Sequence, residues 1–358
     1  MKRSLLALST ALVLICASSV FADGDKKAGK TGWNAKNRLQ FESADGDFTL
    51  RIGLLGQFLF TNVDDDVSDT NTSFRTRRVR PDLRGKIFGS VGYRVQYELA
   101  GSPSLLDFYL NWGSDAAKLQ IGQFKAPFGR QELTGITKQQ FVDRSIASKR
   151  FAPSRQQGIA VLGKSANSKL EYGVGIYNGN GRNQSRDDND DKLISGRIVF
   201  NPLGAYARDE SSLDRPDSPK LSFGIAGMSN TEGNDLDEVD ISRLGAEFAF
   251  KVQGLGILAE FYQETADPAL GADIDTDGYY AQVGYLFPNK RFEAALRFAA
   301  VSPDVIGPSR DQTETGAAFN FFLNKHGQKV QLDYRQLEFD ADPDRDSNEL
   351  RLQVQISF

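Results

Sequence analysis

The chain has 358 residues, with 43 Lys and Arg against 47 Asp and Glu, one His and one Cys, for a net charge of −4. That mild acidity does not suggest a nucleic-acid partner, and a lone Cys and a lone His leave little for thiol or metal chemistry. Beyond Ala22 no apolar run is long enough for a membrane-crossing helix, which needs about 20 residues.

The first element is a leader. Lys2 and Arg3 form a basic n-region, Leu5 to Ile15 an apolar stretch, and Val20-Phe21-Ala22 a small-residue cleavage site. This predicts a cleaved signal peptide over 1–22, with Asp23 as the mature start. Cys16 follows Ile15, where a lipobox wants Gly, Ala or Ser, so no lipid anchor is expected. Removing the leader takes the only Cys and two basic residues, leaving 41 basic against 47 acidic, or −6. Residues 23–47 are expected to form a periplasmic extension, flexible as far as Asn37.

From 48 onward the side chains alternate with a period of two. Val91, Tyr93, Val95, Tyr97 and Leu99 share one face, and Arg94, Gln96 and Glu98 the other. Leu350, Leu352, Val354, Ile356 and Phe358 repeat the pattern at the C-terminus, and Leu50, Ile52, Leu54, Phe58 and Phe60 near the start. The predicted strands are 48–60, 74–88, 91–100, 105–112, 118–124, 158–163, 169–177, 193–200, 220–228, 241–251, 255–265, 277–287, 291–301, 312–323, 328–337 and 348–358. Short turns such as Gly89-Ser90, Gln253-Gly254, Pro288 to Lys290 and Asn324 to Gly327 interleave with longer polar loops at 61–73, 178–192, 230–240, 266–276 and 338–347. The stretch 201–219 breaks this rule, being long where a short turn is expected.

About sixteen strands, with short turns on one side and long loops on the other, predict an all-β fold over 48–358: a transmembrane antiparallel β-barrel. A strand with one apolar row can lie in lipid only if every backbone group is paired, and closure removes the free edges. Phe60, Trp112, Tyr177, Phe200, Phe287 and Phe358, near strand ends, are expected in interfacial girdles. A terminal Phe358 in phase with its strand resembles the signal read by bacterial barrel-assembly machinery.

Two basic clusters stand out. In Arg75 to Lys86, Val79, Leu83 and Ile87 set the lipid face, so Arg78, Arg80, Arg84 and Lys86 should point inward with Asp82, joined by Arg94 on the next strand. The second is the segment Ala126 to Gln157, without strand phase. Across 125–155 it carries Lys125, Arg130, Lys138, Arg144, Lys149, Arg150 and Arg155 against Glu132 and Asp143, seven minus two or +5. A loop of this length in a compact domain is functional or disordered. Folded into the lumen, it would narrow a pore and place these cations on the path; turned outward, it would meet lipopolysaccharide phosphates.

Phe41 to Gly53, Arg77-Arg-Val-Arg80 and Ile121-Gly-Gln-Phe-Lys-Ala-Pro-Phe-Gly129 resemble the phosphate- and polyphosphate-selective porin family, porins O and P, from about Arg38 to Phe358. The resemblance implies a sixteen-stranded homotrimeric outer-membrane porin whose third extracellular loop folds inward and whose basic residues pass anions. Arg144, Lys149, Arg150 and Arg155 would belong to that loop, and Lys125 to the strand entering it.

The expected function is passive diffusion of small anions, with phosphate or polyphosphate as the specific case, in contact with outer-membrane lipid and lipopolysaccharide. Two alternatives stay open. Asp82, Glu98, Asp107, Glu247, Glu260 and Glu293 could cancel the cations and leave a general or weakly cation-preferring porin, or the barrel could be plugged, with a structural or binding role. No enzyme signature or cofactor pattern appears. His326 lies in a predicted periplasmic turn, and Asp273-Ile-Asp-Thr-Asp-Gly278 opens like a calcium loop but reaches Gly284 where Glu is needed.

Overall fold

A computed structural model describes residues 29–34, 38–65, 71–187, 189–233, 237–305, 309–342 and 345–358. The expected leader, 1–22, lies outside them. Two short strands come first, β1 (Lys30–Asn34) and β2 (Arg38–Glu42). The next eight are β3 (Thr49–Asp65), β4 (Asn71–Ile87), β5 (Val91–Glu98), β6 (Ser104–Gly113), β7 (Lys118–Lys125), β8 (Arg155–Lys164), β9 (Leu170–Tyr177) and β10 (Leu193–Phe200). The last eight are β11 (Lys220–Glu232), β12 (Val239–Val252), β13 (Leu255–Pro268), β14 (Ile274–Leu286), β15 (Phe292–Pro303), β16 (Gln312–Asn324), β17 (Gln328–Phe339) and β18 (Ser347–Ser357).

Each strand from β3 to β18 pairs antiparallel with the next, and β18 pairs with β3, closing a sixteen-stranded barrel. At the seam Phe358 and Leu54 exchange backbone hydrogen bonds of 3.1 Å in both directions. Beyond that point Leu39 to Glu42 of β2 pair with Ile52 to Thr49, so β2 continues the wall where β18 ends. The expected extension 23–47 is therefore partly strand, and β1 pairs with β2 as a hairpin.

The barrel is inverted relative to a water-soluble sheet. On β14, Tyr279, Val283 and Tyr285 face out at 40–44% exposure, while Gln282 faces in at 2%. On β15, Leu296 and Phe298 face out and Arg297 is buried within. Apolar rows on the outside suit hydrocarbon, and polar rows inside need water or partners. Tyr177, expected in a girdle, is a correction: it faces in, edge-on to Phe124 at 5.6 Å, because the phase of β9 turns its last residue inward. Several strands outrun their predicted ends on the loop side, where both faces are polar and the alternation fades; β13 extends to Pro268 and β11 to Glu232.

The turn side is tight. Gln253-Gly254 joins β12 to β13 with φ of 46° and 96°, the paired positive values of a two-residue hairpin turn. The exception is 201–219, whose middle is buried: Tyr206, Glu210, Ser211, Ser212 and Leu213 are all under 8% exposed.

On the loop side, residues 126–154 carry two short helices, α1 (Arg130–Leu133) and α2 (Ile146–Phe151), the latter capped by the Ser145 hydroxyl accepting from Ser148 N at 3.1 Å. Without a ladder of its own, this backbone is satisfied by inward-facing side chains of distant strands. Glu260 on β13 accepts from the Arg130 and Gln131 amides at 2.7 and 2.6 Å, Glu314 on β16 from Ile146 at 2.8 Å, and Asp333 on β17 from Val142 at 2.8 Å. Lys329 donates to the Gln139 carbonyl at 2.7 Å and Asn320 to that of Gln140 at 2.9 Å. Tyr262 stacks between Phe128 and Phe151, pinning both ends of the segment. Two inward positions on β14 must stay bare for this approach: a Cβ at Gly278 would run into the Phe151 ring, and one at Gly284 into the Gln140 amide.

Candidate functional site

With residues 126–154 held against β13 to β17, the lumen keeps an open cavity of about 470 Å³ on the side of β4 to β8. Its lining carries nine basic and two acidic side chains. The wall supplies Arg78, Arg80 and Arg84 from β4, Arg94 from β5, Lys125 from β7 and Arg155 from β8. The 126–154 segment adds Lys138 and Arg144, and the turn-side segment 201–219 adds Arg208. The acids are Asp82 and Glu132.

Hydrogen bonding along β4 explains how one strand offers so many cations. Gln57 of β3 pairs with Arg78 and Phe58 with Thr76, leaving Arg77 as an extra residue, a β-bulge. Both Arg77 and Arg78 then turn inward: Arg77 forms an ion pair with Asp143, and Arg78 donates to Gln57 Oε1 at 2.7 Å. Past the bulge, ordinary alternation places Arg80, Asp82 and Arg84 on the inner face.

Most of these cations are paired, in a consistent sense. Arg94 reaches Asp82 at 3.0 Å and Asp107 at 2.9 Å, Arg155 reaches Asp107 at 2.7 Å, and Arg80 reaches Glu98 at 2.7 Å. Lys125 and Arg144 share Glu132 at 3.2 and 3.1 Å, and Arg84 pairs with Asp82. In each of these pairs the carboxylate is the more buried partner, Arg78 beside Asp143 at 3.9 Å being the exception; Asp82 is 6% exposed where Arg84 is 39%. The guanidinium and ammonium groups therefore form the surface that water and solutes meet, with the negative charge behind them. An unbalanced charge about 4 Å from a passing ion, at an effective dielectric constant of about 20, amounts to about 4 kcal/mol. A small excess of cations is enough to decide which sign passes.

The other acidic candidates lie elsewhere. Glu247 is buried between Arg197 at 2.6 Å and Arg130 at 2.9 Å. Glu260 anchors the start of α1, and Glu293 accepts from Gln140 and Ser211, both at 2.8 Å. They hold the inner segments in place, and none lines the cavity.

Seven of the ten expected site residues, Arg78, Arg80, Arg84, Arg94, Lys125, Arg144 and Arg155, come together here. Three do not. Lys86 stands exposed near the turn end of β4, one turn of the alternation past the cavity. Arg150 is drawn aside to Glu264, with one contact at 3.0 Å. Lys149, half-exposed on α2, sits 3.8 Å from Asp143. Burial alone would raise Asp143, but Lys149, Arg77, Arg351 and Arg78 around it hold its carboxyl well below the usual carboxylate range. Burial in turn pulls Lys149 down to about 8, against the attraction of Asp143. His326, in the turn after β16, is pushed well below its ordinary value by burial and by Lys329, Lys138, Lys251 and Lys325, so it carries no charge near neutrality.

Sequence reasoning did not single out Arg77, Lys138 or Arg208. For Arg77 a signal existed: Phe74 faces lipid at an even position and Val79, Leu83 and Ile87 at odd ones, so one residue between them must be extra. Lys138 counted only toward the loop's net charge. Arg208 had no signal, because nothing in 201–219 announces that it turns inward.

Residues 51–358 match the family described as phosphate-selective porin O and P. A protein of Aquifex aeolicus (strain VF5) is 24% identical over 287 residues, covering 72% of this chain and 68% of that one. Among solved structures, an anion-selective porin from Comamonas acidovorans superposes with a TM-score of 0.66 at 12% identity, covering 86% of this chain and 99% of the other. The outer membrane channel DcaP of Acinetobacter baumannii gives 0.64 at 12% identity, with 92% and 99% covered. The trimer form of OmpT, an outer membrane protein of Vibrio cholerae, gives 0.61 at 11%, with 86% and 99% covered. The chain is a porin of the outer membrane, and it belongs to the phosphate-selective porin O and P family.

Proposed function

We propose that this porin passes small anions through the cavity between residues 126–154 and β4 to β8, with the 126–154 segment as its constriction. The observation that carries this reading is the lining, nine basic side chains to two acidic, with the paired carboxylates set behind the cations. Attraction at the cationic face raises the local concentration of anions and repels cations, and solutes then move down their gradient. Phosphate fits the chemistry, since clustered guanidinium groups recognise its oxygens in pairs. The inward anchoring of the acidic side chains removes the main support for a cation-preferring pore, and the open cavity argues against a fully plugged barrel.

The outer apolar rows support contact with lipid, and a homotrimer is the assembly we infer, by likeness to the trimeric OmpT form. Recording in planar bilayers tests the reading. Under a KCl gradient the reversal potential should lie on the chloride side, and inorganic phosphate should reduce chloride current. A cation-side potential, or no conductance, would overturn it.

A further inference from the structure

The buried segment 201–219 is the one connection at the turn end that does not turn back at once, and its interior is built on a carboxylate. Glu210 is 2% exposed. Its Oε2 accepts from the Gln140 amide at 2.7 Å and from Gln282 Nε2 at 3.0 Å, while Oε1 accepts from Gln131 Nε2 at 3.1 Å. The Glu210 amide donates in turn to the Lys138 carbonyl at 3.1 Å. One residue of the turn-side segment thus touches three points of the loop-side segment and one of the wall.

Its neighbours fix the segment itself. Ser211 donates to Glu293 at 2.8 Å, Asp209 pairs with Lys138, and Lys251 donates to the Asp209 carbonyl. The Tyr206 ring lies between the Arg130 guanidinium at 5.0 Å and the Lys251 ammonium at 5.1 Å. These contacts leave Arg208 exposed in the cavity lining.

We propose that residues 205–213 form a clamp that enters the barrel from the turn side and fixes the 131–140 rim of the passage, with Glu210 as the positioning residue. On the same clamp, Arg208 is a specificity-determining residue at the turn end of the path. The barrel wall can close without this segment, since β10 already pairs with β11 from Ile194 to Phe200; the clamp acts on the inner segment. A buried carboxylate bound by several N–H donors leaves each donor unsatisfied when removed, so the rim loses its fixed position.

The clamp rests on the anion-channel reading, and the two fail differently: a parent without anion preference sinks that reading, whereas a parental preference left intact in Glu210→Ala sinks only the clamp. Single-channel recording on full-length barrels, checked for native heat-modifiable migration, tests it. Glu210→Ala should show noisier open current, higher conductance and a reversal potential moved toward zero. Glu210→Gln, which keeps one acceptor oxygen, should fall between it and the parent. Arg208→Ala should keep quiet current while its reversal potential moves toward zero. Parental noise and reversal potential in Glu210→Ala would overturn the proposal. Should that variant fail to fold, Gln131→Glu keeps an oxygen to accept from Ser145 and withdraws the donor to Glu210, and it reads the same way: extra noise supports the clamp, and parental current overturns it.

Discussion

Asp333 on β17 accepts from the Val142 amide at 2.8 Å while also holding the Arg351 guanidinium at 2.7 Å. One carboxylate thereby joins the mid-point of the 126–154 segment to the charge network of the far wall. Arg351 is 2% exposed, and its remaining acidic contacts are Asp143 at 3.1 Å and Glu349 at 3.3 Å. Removing one partner of a buried pair costs about 3–5 kcal/mol, because the other charge stays behind. Because Arg351 keeps Asp143 and Glu349, Asp333→Ala should lose less than that, about 1–3 kcal/mol, in urea unfolding from detergent micelles. It should also raise open-channel noise, since Val142 loses its acceptor.

Arg94 bridges two carboxylates, so its loss acts twice. Arg94→Ala removes one cation and leaves Asp82 and Asp107 less screened, and the reversal potential should move toward the cation side. Asp82→Asn should move it the other way. A shift of the same sign in both variants would show that this face does not set selectivity.

Lys149, off the cavity lining but 3.8 Å from Asp143, should add a pH dependence to the channel through its charge. Its ammonium, pulled down to about 8, is charged at neutrality and loses its proton as pH rises through that value. Anion preference measured by reversal potential should fall between neutral and mildly alkaline pH. Lys149→Arg, charged throughout, should remove that portion of the fall. A variant curve that overlays the parent's would rule Lys149 out of the electrostatics of the path.

Leu296, at 61% exposure, faces the outside near the middle of β15. A cation at the midplane of a barrel's lipid face costs about 2–4 kcal/mol. Leu296→Arg should lose roughly that much in folding equilibria with lipid vesicles. The neighbouring Arg297, which pairs with Glu314 inside, marks the opposite face by position alone.

How much of this was legible in the chain follows from where alternation rules. All sixteen barrel strands were, because each must show an apolar row to lipid, and Leu350 to Phe358 or Val91 to Leu99 do so without a break. Arg80, Arg84 and Arg94 were legible for the same reason. The phase of β4 changes at Arg77, and strict alternation cannot see a bulge unless both flanks are read together. Lys149 and Arg150 were misplaced because loop residues carry no phase, and tertiary partners such as Asp143 and Glu264 draw them aside. The role of 201–219 was not legible, since it depends on Glu210 meeting donors from Gln131, Gln140 and Gln282, far apart in the chain.

A reporter thiol on the proposed anion path measures its course directly. Thr137 lines the cavity, and the chain's single cysteine, Cys16, lies in the expected leader. In Thr137→Cys, an anionic thiol reagent should react faster than a cationic one, and complete modification should lower single-channel current in a step. Faster reaction with the cationic reagent, or full modification with unchanged current, would contradict an anion path between this segment and the arginines of β4.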